Sequence, residues 1–417
     1  MTNNHGIVNE EIIEDLCHRL FGCDFVLRSP QIIKGSSSRE LTDFLILIDD
    51  TVIVIQSKSL AIDISDLDAV KFRRIQRRQE EAKRQLNATF NAHERGAIVR
   101  ATSPLGLTFN VDWSFINHKI GIVTLTIPDT QYLNPEFRFQ YPLVEKHKGI
   151  TIHTFIASDI LQMTTEFDIP GDILRYMEIR EKCFFSGKLL IGNELDFLAM
   201  FKTRHPELER LIQTDEISML VISPGCWESY KKDAEEAIEA RNQRFKKSQV
   251  IDNLIRFLRT SVVYTSTQSG ITEQQSAVQY MKLIGKLGRL SRIERTDIAE
   301  KILLKVEKTK TEEFGYFLHS SITAKTAYLF LFINEPDREF RKDMLYFLCE
   351  QACHLNQLNK CNEVFGVVTS GAQQQDRAVD AILINMKEIR STTKPDPNHL
   401  FFKPPVYTKT DEWGNQD

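Results

Sequence analysis

The chain has 417 residues, 42% of them hydrophobic and 26% charged, which is ordinary for a folded globular protein and enough for two or three domains. Its formal net charge of -4 excludes a global attraction to nucleic acid or anionic lipid, so any such partner must be met by a local patch. No apolar run approaches the roughly 18 residues that span a bilayer, and "MTNNHGIVNEEIIEDL" lacks the basic start and apolar core of a secretory signal, so the expectation is a cytoplasmic chain with no membrane partner.

In chain order, "NEEIIEDLCHRLFG" has the spacing of an amphipathic helix, with Ile12, Leu16 and Leu20 on one stripe and Gly22 ending it. "DFVLRSPQII" predicts a strand, and the turn-rich "KGSSSRE" leads into a pair of strands over "LTDFLILIDDTVIVIQSKS". Helical spacing resumes after Asp66, with Phe72, Ile75, Ala82 and Leu86 inward, and "GLTFNVDW", "IGIVTLTIP" and "ITIHTFI" predict further strands. The order helix, three strands, helix, strand makes residues 1–168 an α/β domain. Residues 169–262 are predicted to be helical, over "IPGDILRYMEIREKCFF", "ELDFLAMFKTRHPELERLI" and a long stretch from Glu228 to Arg259. "TSTQSGITEQQ" predicts a linker closing on a Thr272-to-Gln275 capping box. Residues 271–390 then predict a small α/β unit, from "AYLFLFI", a helix starting near Arg338, "VFGVVT" and "DAILINM". The tail over 391–417, rich in Pro, Asn, Thr and Asp, has the composition of a disordered segment.

Seven cysteines, at 17, 23, 183, 226, 349, 353 and 361, are odd in number and irregular in spacing, which argues for reduced thiols rather than a disulfide framework. In "CEQACH", Cys349 and Cys353 share a helical face while His354 points elsewhere, and no CxxC pair supplies further ligands. Core cysteines are therefore expected over a zinc site.

The strand pair carries the chemistry. With Asp49-Asp50 as a two-residue turn, opposed residues sum to 99, and Asp43 faces Gln56. Asp43, Leu45 and Leu47 then share a face with Val52, Val54, Gln56 and Lys58, and the polar groups gather at one end of it. Both faces are otherwise apolar, as in central strands covered on both sides. One reading is a structural Asp43–Lys58 salt bridge at the edge of the core. The other is that side-chain oxygens hold a divalent metal, with Lys58 placed to stabilise charge on a phosphate.

Asp43, twelve intervening residues and then Gln56-Ser57-Lys58 resemble the active site of PD-(D/E)xK (restriction-endonuclease-like) nucleases, and the domain order resembles their αβββαβ core. The resemblance implies Asp43 and Gln56 as ligands of Mg2+ or Mn2+, Ser57 as the donor of a backbone carbonyl, and Lys58 as catalytic. Thr42 replaces the usual proline and Gln56 the usual glutamate, and the latter exchange is similar to Mrr-like enzymes. A neutral amide is a poorer magnesium ligand than a carboxylate, so Glu40, or Glu14 on the first helix, is a candidate for the missing charge. Gln85, in "QLNAT", resembles the helix glutamine of RecB-like nucleases, although Thr89 stands where they carry tyrosine.

Between Lys71 and Arg100 nine Lys or Arg face three Glu. Arg73, Arg74, Arg77, Arg78 and Arg84 fall outside the apolar stripe, available either to solvent or to phosphates, and Lys34 and Arg39 flank the hairpin. The expected function is a metal-dependent endonuclease acting on nucleic acid, DNA before RNA, in the manner of a bacterial anti-phage effector. Its helical and C-terminal parts are expected to oligomerise, bind a regulatory protein or select the target. The alternative is a non-catalytic nucleic-acid-binding or scaffold protein on the same fold.

Overall fold

The structure, a computed structural model, describes residues 4–34, 37–60, 68–102, 106, 108–127, 143–191, 193–214, 219–233, 239–240, 242–243, 245–268, 272–309, 314–321, 323–370 and 379–395. It is a mixed α/β protein that divides into two compact units, 1–297 and 298–417.

In the first unit α1 (Asn4–Phe21) ends at Gly22, whose φ of 80° is the left-handed conformation that closes helices without strain only in glycine. There follow β1 (Val26–Lys34), β2 (Ser37–Glu40), β3 (Phe44–Ile48), β4 (Thr51–Ser59) and α2 (Asp68–Glu94). After these come β5 (Ile98–Thr102), β6 (Thr108–Asn110), β7 (His118–Thr126), β8 (Val144–His147), β9 (Ile150–Ile156) and α3 (Ala157–Met163). The strands form one nine-stranded sheet in the order β6-β5-β1-β3-β4-β7-β9-β8, with β2 alongside β1. β1, β3 and β4 are antiparallel neighbours, and β7 and β9 run parallel to β4. A parallel step needs a crossover, and α2 lies within it, burying Ile75, Ala82, Leu86 and Phe90, while Phe72 stays half-buried. Gly121 on β7 lets this helix close on the sheet, since a Cβ there would stand 2.9 Å from Leu86.

The helical middle packs on this sheet instead of standing apart as a domain. α4 (Pro170–Phe185) carries Arg180, fully buried, which donates to the carbonyls of Leu143 (2.9 Å) and Thr154 (3.2 Å) beside β9. Its guanidinium also pairs with Glu194 at 2.8 Å, at the start of α5 (Glu194–Gln213). A buried cation is tolerated only when so fully bonded. A two-stranded parallel pair, β10 (Leu189–Ile191) with β11 (Leu220–Ile222), and α6 (Cys226–Asp233) complete this layer. A 3-10 turn at Lys246–Ser248 interrupts the helix expected over 228–259, held by the Ser248 hydroxyl donating to the Phe245 carbonyl at 2.6 Å. The next helix runs Gln249–Gln268 and takes in the "TSTQ" that opens the expected linker, while residues 269–271 lie outside the described residues.

The Thr272–Gln275 capping box is present and opens the helix Glu273–Arg289. That helix lies against the β3–β4 turn: a Cβ on Gly285 would fall 2.5 Å from the Asp49 backbone nitrogen, and Lys286 pairs with Asp49 at 2.5 Å. This packing moves the unit boundary to 297/298 from the expected 271.

The helix Arg292–Lys308 leads in sequence to the second unit. Its sheet is β12 (Phe314–Ser321), β13 (Thr326–Ile333), β14 (Glu363–Ser370) and β15 (Val379–Asn385), with the helix Arg338–Cys353 crossing between parallel β13 and β14. Leu329, Leu331, Leu345, Cys349 and Val364 share one core cluster. Of the expected disordered tail, residues 391–395 are described and the helix Met386–Thr392, the last among the described residues, enters it, while 396–417 lie outside them.

Candidate active site

The β3–β4 ladder keeps the register expected from the two-residue turn, from Ile48–Thr51 to Phe44–Ile55. Beyond Phe44 side chains replace the backbone ladder. β1 shifts register between Arg28 and Gln31, with Ser29 at a φ of 45°. There the Ser29 N–H donates to the Asp43 carbonyl (3.1 Å) and the Leu41 N–H to the Pro30 carbonyl (2.8 Å). Residues 41–43 are thus pinned from β1 while they leave β4. Thr89 on α2, in place of the tyrosine that the resemblance implies, donates to the Leu41 carbonyl at 3.0 Å.

Across this open end the Ser57 N–H donates to Asp43 Oδ2 at 2.8 Å. A strand residue directs its N–H and C=O to the same edge, so the Ser57 carbonyl also faces the Asp43 side. Gln56, only 3% exposed, donates from Nε2 to Thr42 Oγ1 at 2.7 Å, and Thr42 Oγ1 donates to the Ile55 carbonyl at 2.9 Å. Because the Thr42 proton is committed to that carbonyl, its oxygen must accept from Gln56. The amide therefore turns its NH2 to Thr42 and keeps Oε1 as its other end. Gln56 and Asp43, expected as a side-chain pair, bond instead to Thr42 and to the Ser57 backbone.

Burial raises the Asp43 pKa, opposed by the Ser57 N–H and by the charge of Lys58, and the charges of Glu10 and Glu40 push it further up. Among the described residues no ion pair joins Asp43 to Lys58; the ammonium acts on the carboxylate from a distance. The structural salt bridge is therefore not formed. Lys58 also acts on Glu81 of α2, whose pKa is lowered mainly by its bond with Arg78.

Of the candidates for extra charge, Glu40 lies exposed on β2 and acts on Asp43. Glu14 pairs with Arg28 at 3.1 Å, and the α1 residue whose charge reaches Asp43 is Glu10, one turn earlier. The i, i+4 spacing of Glu10 and Glu14 puts both on one helical face, and only the docking of α1 decides between them. Gln85 is exposed.

Arg73, Arg74, Arg77, Arg78 and Arg84 are all exposed on α2. Arg78 pairs with Glu81 at 2.8 Å. At 100° per residue Arg73, Arg77 and Arg84 fall on one stripe. Arg39 is exposed on β2, beside Ile32 of β1, and the side chain of Lys34 lies outside the described residues.

As a metal site, Asp43, the Gln56 Oε1 and the Ser57 carbonyl make a short set of hard oxygen donors, the type that magnesium and manganese take. A desolvated carboxyl with raised pKa, near two further acids, is one that a cation would relieve. The donor types suit such an ion, while the Gln56 amide is held on Thr42 rather than against Asp43. Among the described residues, no group of three or more His, Cys, Asp or Glu side chains is placed to hold a metal. Cys349 and Cys353 are buried in the second unit's core, and burial pushes the Cys353 thiol up to about 11, the behaviour of packed rather than ligating sulfur.

No helix among the described residues is long and apolar enough to cross a membrane. No protein-family model, curated protein or solved structure matches the chain, so its chemistry rests on these residues.

Proposed function

We propose that the protein is a metal-dependent nuclease of the restriction-endonuclease-like class, hydrolysing phosphodiester bonds of nucleic acid, DNA before RNA. The observation that carries the reading is Asp43 held against the Ser57 N–H at the open end of the β3–β4 hairpin, with Lys58 close enough to act on it and not tied to it. The succession of α1, antiparallel β1, β3 and β4, then α2 and, after β5 and β6, a β7 parallel to β4 supports it, since it contains the helix, three strands, helix, strand order of that core.

In this reading Asp43, Gln56 through Oε1 and the Ser57 carbonyl would hold Mg2+ or Mn2+. A bound divalent ion would supply Lewis-acid polarisation of the phosphate and a bound water of lowered pKa. Lys58, with its ammonium uncommitted to Asp43, stabilises negative charge developing on the scissile phosphate. The Thr42–Gln56 bond fixes the amide's orientation, and Glu10 and Glu40 add negative potential that favours a cation. The Arg73, Arg77 and Arg84 stripe meets backbone phosphates, an interaction that fixes position and carries no sequence information. The second unit is assigned to assembly, regulation or target choice, consistent with a cytoplasmic anti-phage effector.

One observation favours a non-catalytic nucleic-acid-binding protein on the same fold: the amide at 56 leaves Asp43 as the one carboxylate among Asp43, Gln56, Ser57 and Lys58. The decisive experiment offers plasmid, linear DNA and RNA with Mg2+ or Mn2+ to the wild type and to Lys58→Ala. Cleavage by the wild type alone supports the nuclease; binding without cleavage and without any metal effect on melting supports the alternative.

A further inference from the structure

A second concave site lies in the first unit, away from the β3–β4 hairpin. A cavity of about 750 Å³ opens between the end of α1, the segment joining α3 to α4, and the helices that begin at Gln249 and Arg292. Its volume is in the range of small-molecule sites, and its wall is both polar and apolar.

The charges along this wall are not balanced in their bonding. Every carboxylate that lines it already accepts from the protein. Asp252 takes Arg295 at 2.6 Å, and Asp168 takes Arg292 at 2.5 Å. Asp172 accepts the Arg292 N–H at 3.0 Å, Glu166 the Tyr230 hydroxyl at 2.8 Å, and Asp24 the Tyr280 hydroxyl at 3.0 Å. The cations are less satisfied. Among the described residues Arg256 has no carboxylate partner and Lys246 bonds only the Gln243 side chain, at 2.7 Å. Arg292 and Arg295, by contrast, are 6% and 1% exposed and bonded to Asp168 and to Asp252. The unmet demand is for an anion.

Its apolar part narrows the class. Phe25 and Phe245 line the same cavity, together with Ile169 and Ile255. A bare inorganic anion would leave these surfaces and most of the volume unused. We propose that this cavity binds a nucleoside phosphate, with the phosphate against Arg256 and Lys246 and the base against the phenylalanine side. Arginine favours such oxygens through charge-assisted bonds, and aromatic faces accept any base. The proposal goes beyond the nuclease reading and does not depend on it.

The test is calorimetric titration of the full chain with ATP and with GTP, using inorganic phosphate and triphosphate as controls. At least one nucleotide should bind and raise the melting temperature, at least tenfold more tightly than either inorganic anion. Arg256→Ala, at an exposed position without a carboxylate partner among the described residues, should fold normally and weaken that binding at least tenfold. Phe245→Ala should reduce the preference for nucleotide over triphosphate. Arg77→Gln on α2 should leave it unchanged, which separates this cavity from the helix that meets nucleic acid. Binding of neither nucleotide, equal binding of inorganic triphosphate, or affinity untouched by Arg256→Ala would each overturn the proposal.

Discussion

The backbone N–H of Ser57 donates to the Asp43 carboxylate at 2.8 Å, spanning the point where β3 stops and β4 continues. One bond thus places an acid beside the carbonyl edge of the strand that carries Lys58. It does so on a carboxyl that burial makes reluctant to ionise.

Asp43→Asn follows from that reluctance. The folded pKa of Asp43 is raised, so its contribution to stability is fully present below the ordinary aspartate value of about 3.9 and is lost as pH rises through the folded value. Asparagine keeps an oxygen for the Ser57 N–H and never ionises. The variant should melt higher than wild type at pH 7, with the gap closing toward pH 3, and should lose any divalent-metal stabilisation. A lower melting temperature at pH 7 would mean that Asp43 is a net structural group.

Lys58 and Gln56 separate binding from chemistry. Lys58→Ala should cut cleavage by about 10²–10³, the loss typical of removing one transition-state charge donor, while metal affinity stays within a few-fold. Gln56→Glu should bind magnesium more tightly, because a carboxylate is the better hard ligand. Isothermal titration with Mn2+ and Mg2+ reads both; a Lys58→Ala variant that loses metal binding contradicts the assignment.

The Thr42 relay makes a stability prediction independent of function. Thr42→Val leaves the buried Gln56 amide without its acceptor, at a cost of about 1–3 kcal/mol in denaturant unfolding. Thr42→Ser restores the hydroxyl and should recover most of that loss. Equal destabilisation by valine and serine would trace the effect to packing.

On α2 the arginines should differ. Replacing Arg73, Arg77 and Arg84 together by Gln should weaken nucleic-acid binding and lower the slope of log affinity against log salt by about 0.9 for each duplex phosphate no longer neutralised. Arg78→Gln alone should do less, since Arg78 is shared with Glu81. Fluorescence anisotropy across a salt series decides it, and an unchanged slope returns the helix to a solvated face.

The sequence by itself determined the hairpin. A two-residue turn and alternating strand faces admit few registers, and the ladder follows the sum of 99 because a slip by one would turn every side chain to the other face. It also determined the capping box at Thr272, the buried stripe of α2 and the strands of the second unit, all local patterns whose period survives folding. Tertiary structure decided the rest. Whether Gln56 meets Asp43 or Thr42 depends on how β1 crimps at Ser29, which no periodicity in "VLRSPQIIK" announces. Glu10 rather than Glu14 reaches Asp43 because α1 docks with Glu14 facing Arg28. The helical middle joins the first unit through Arg180, a charge whose burial is tolerable only once two carbonyls and Glu194 surround it. Such interactions link residues far apart in the chain, and their energies exist only after the backbone has brought the groups together.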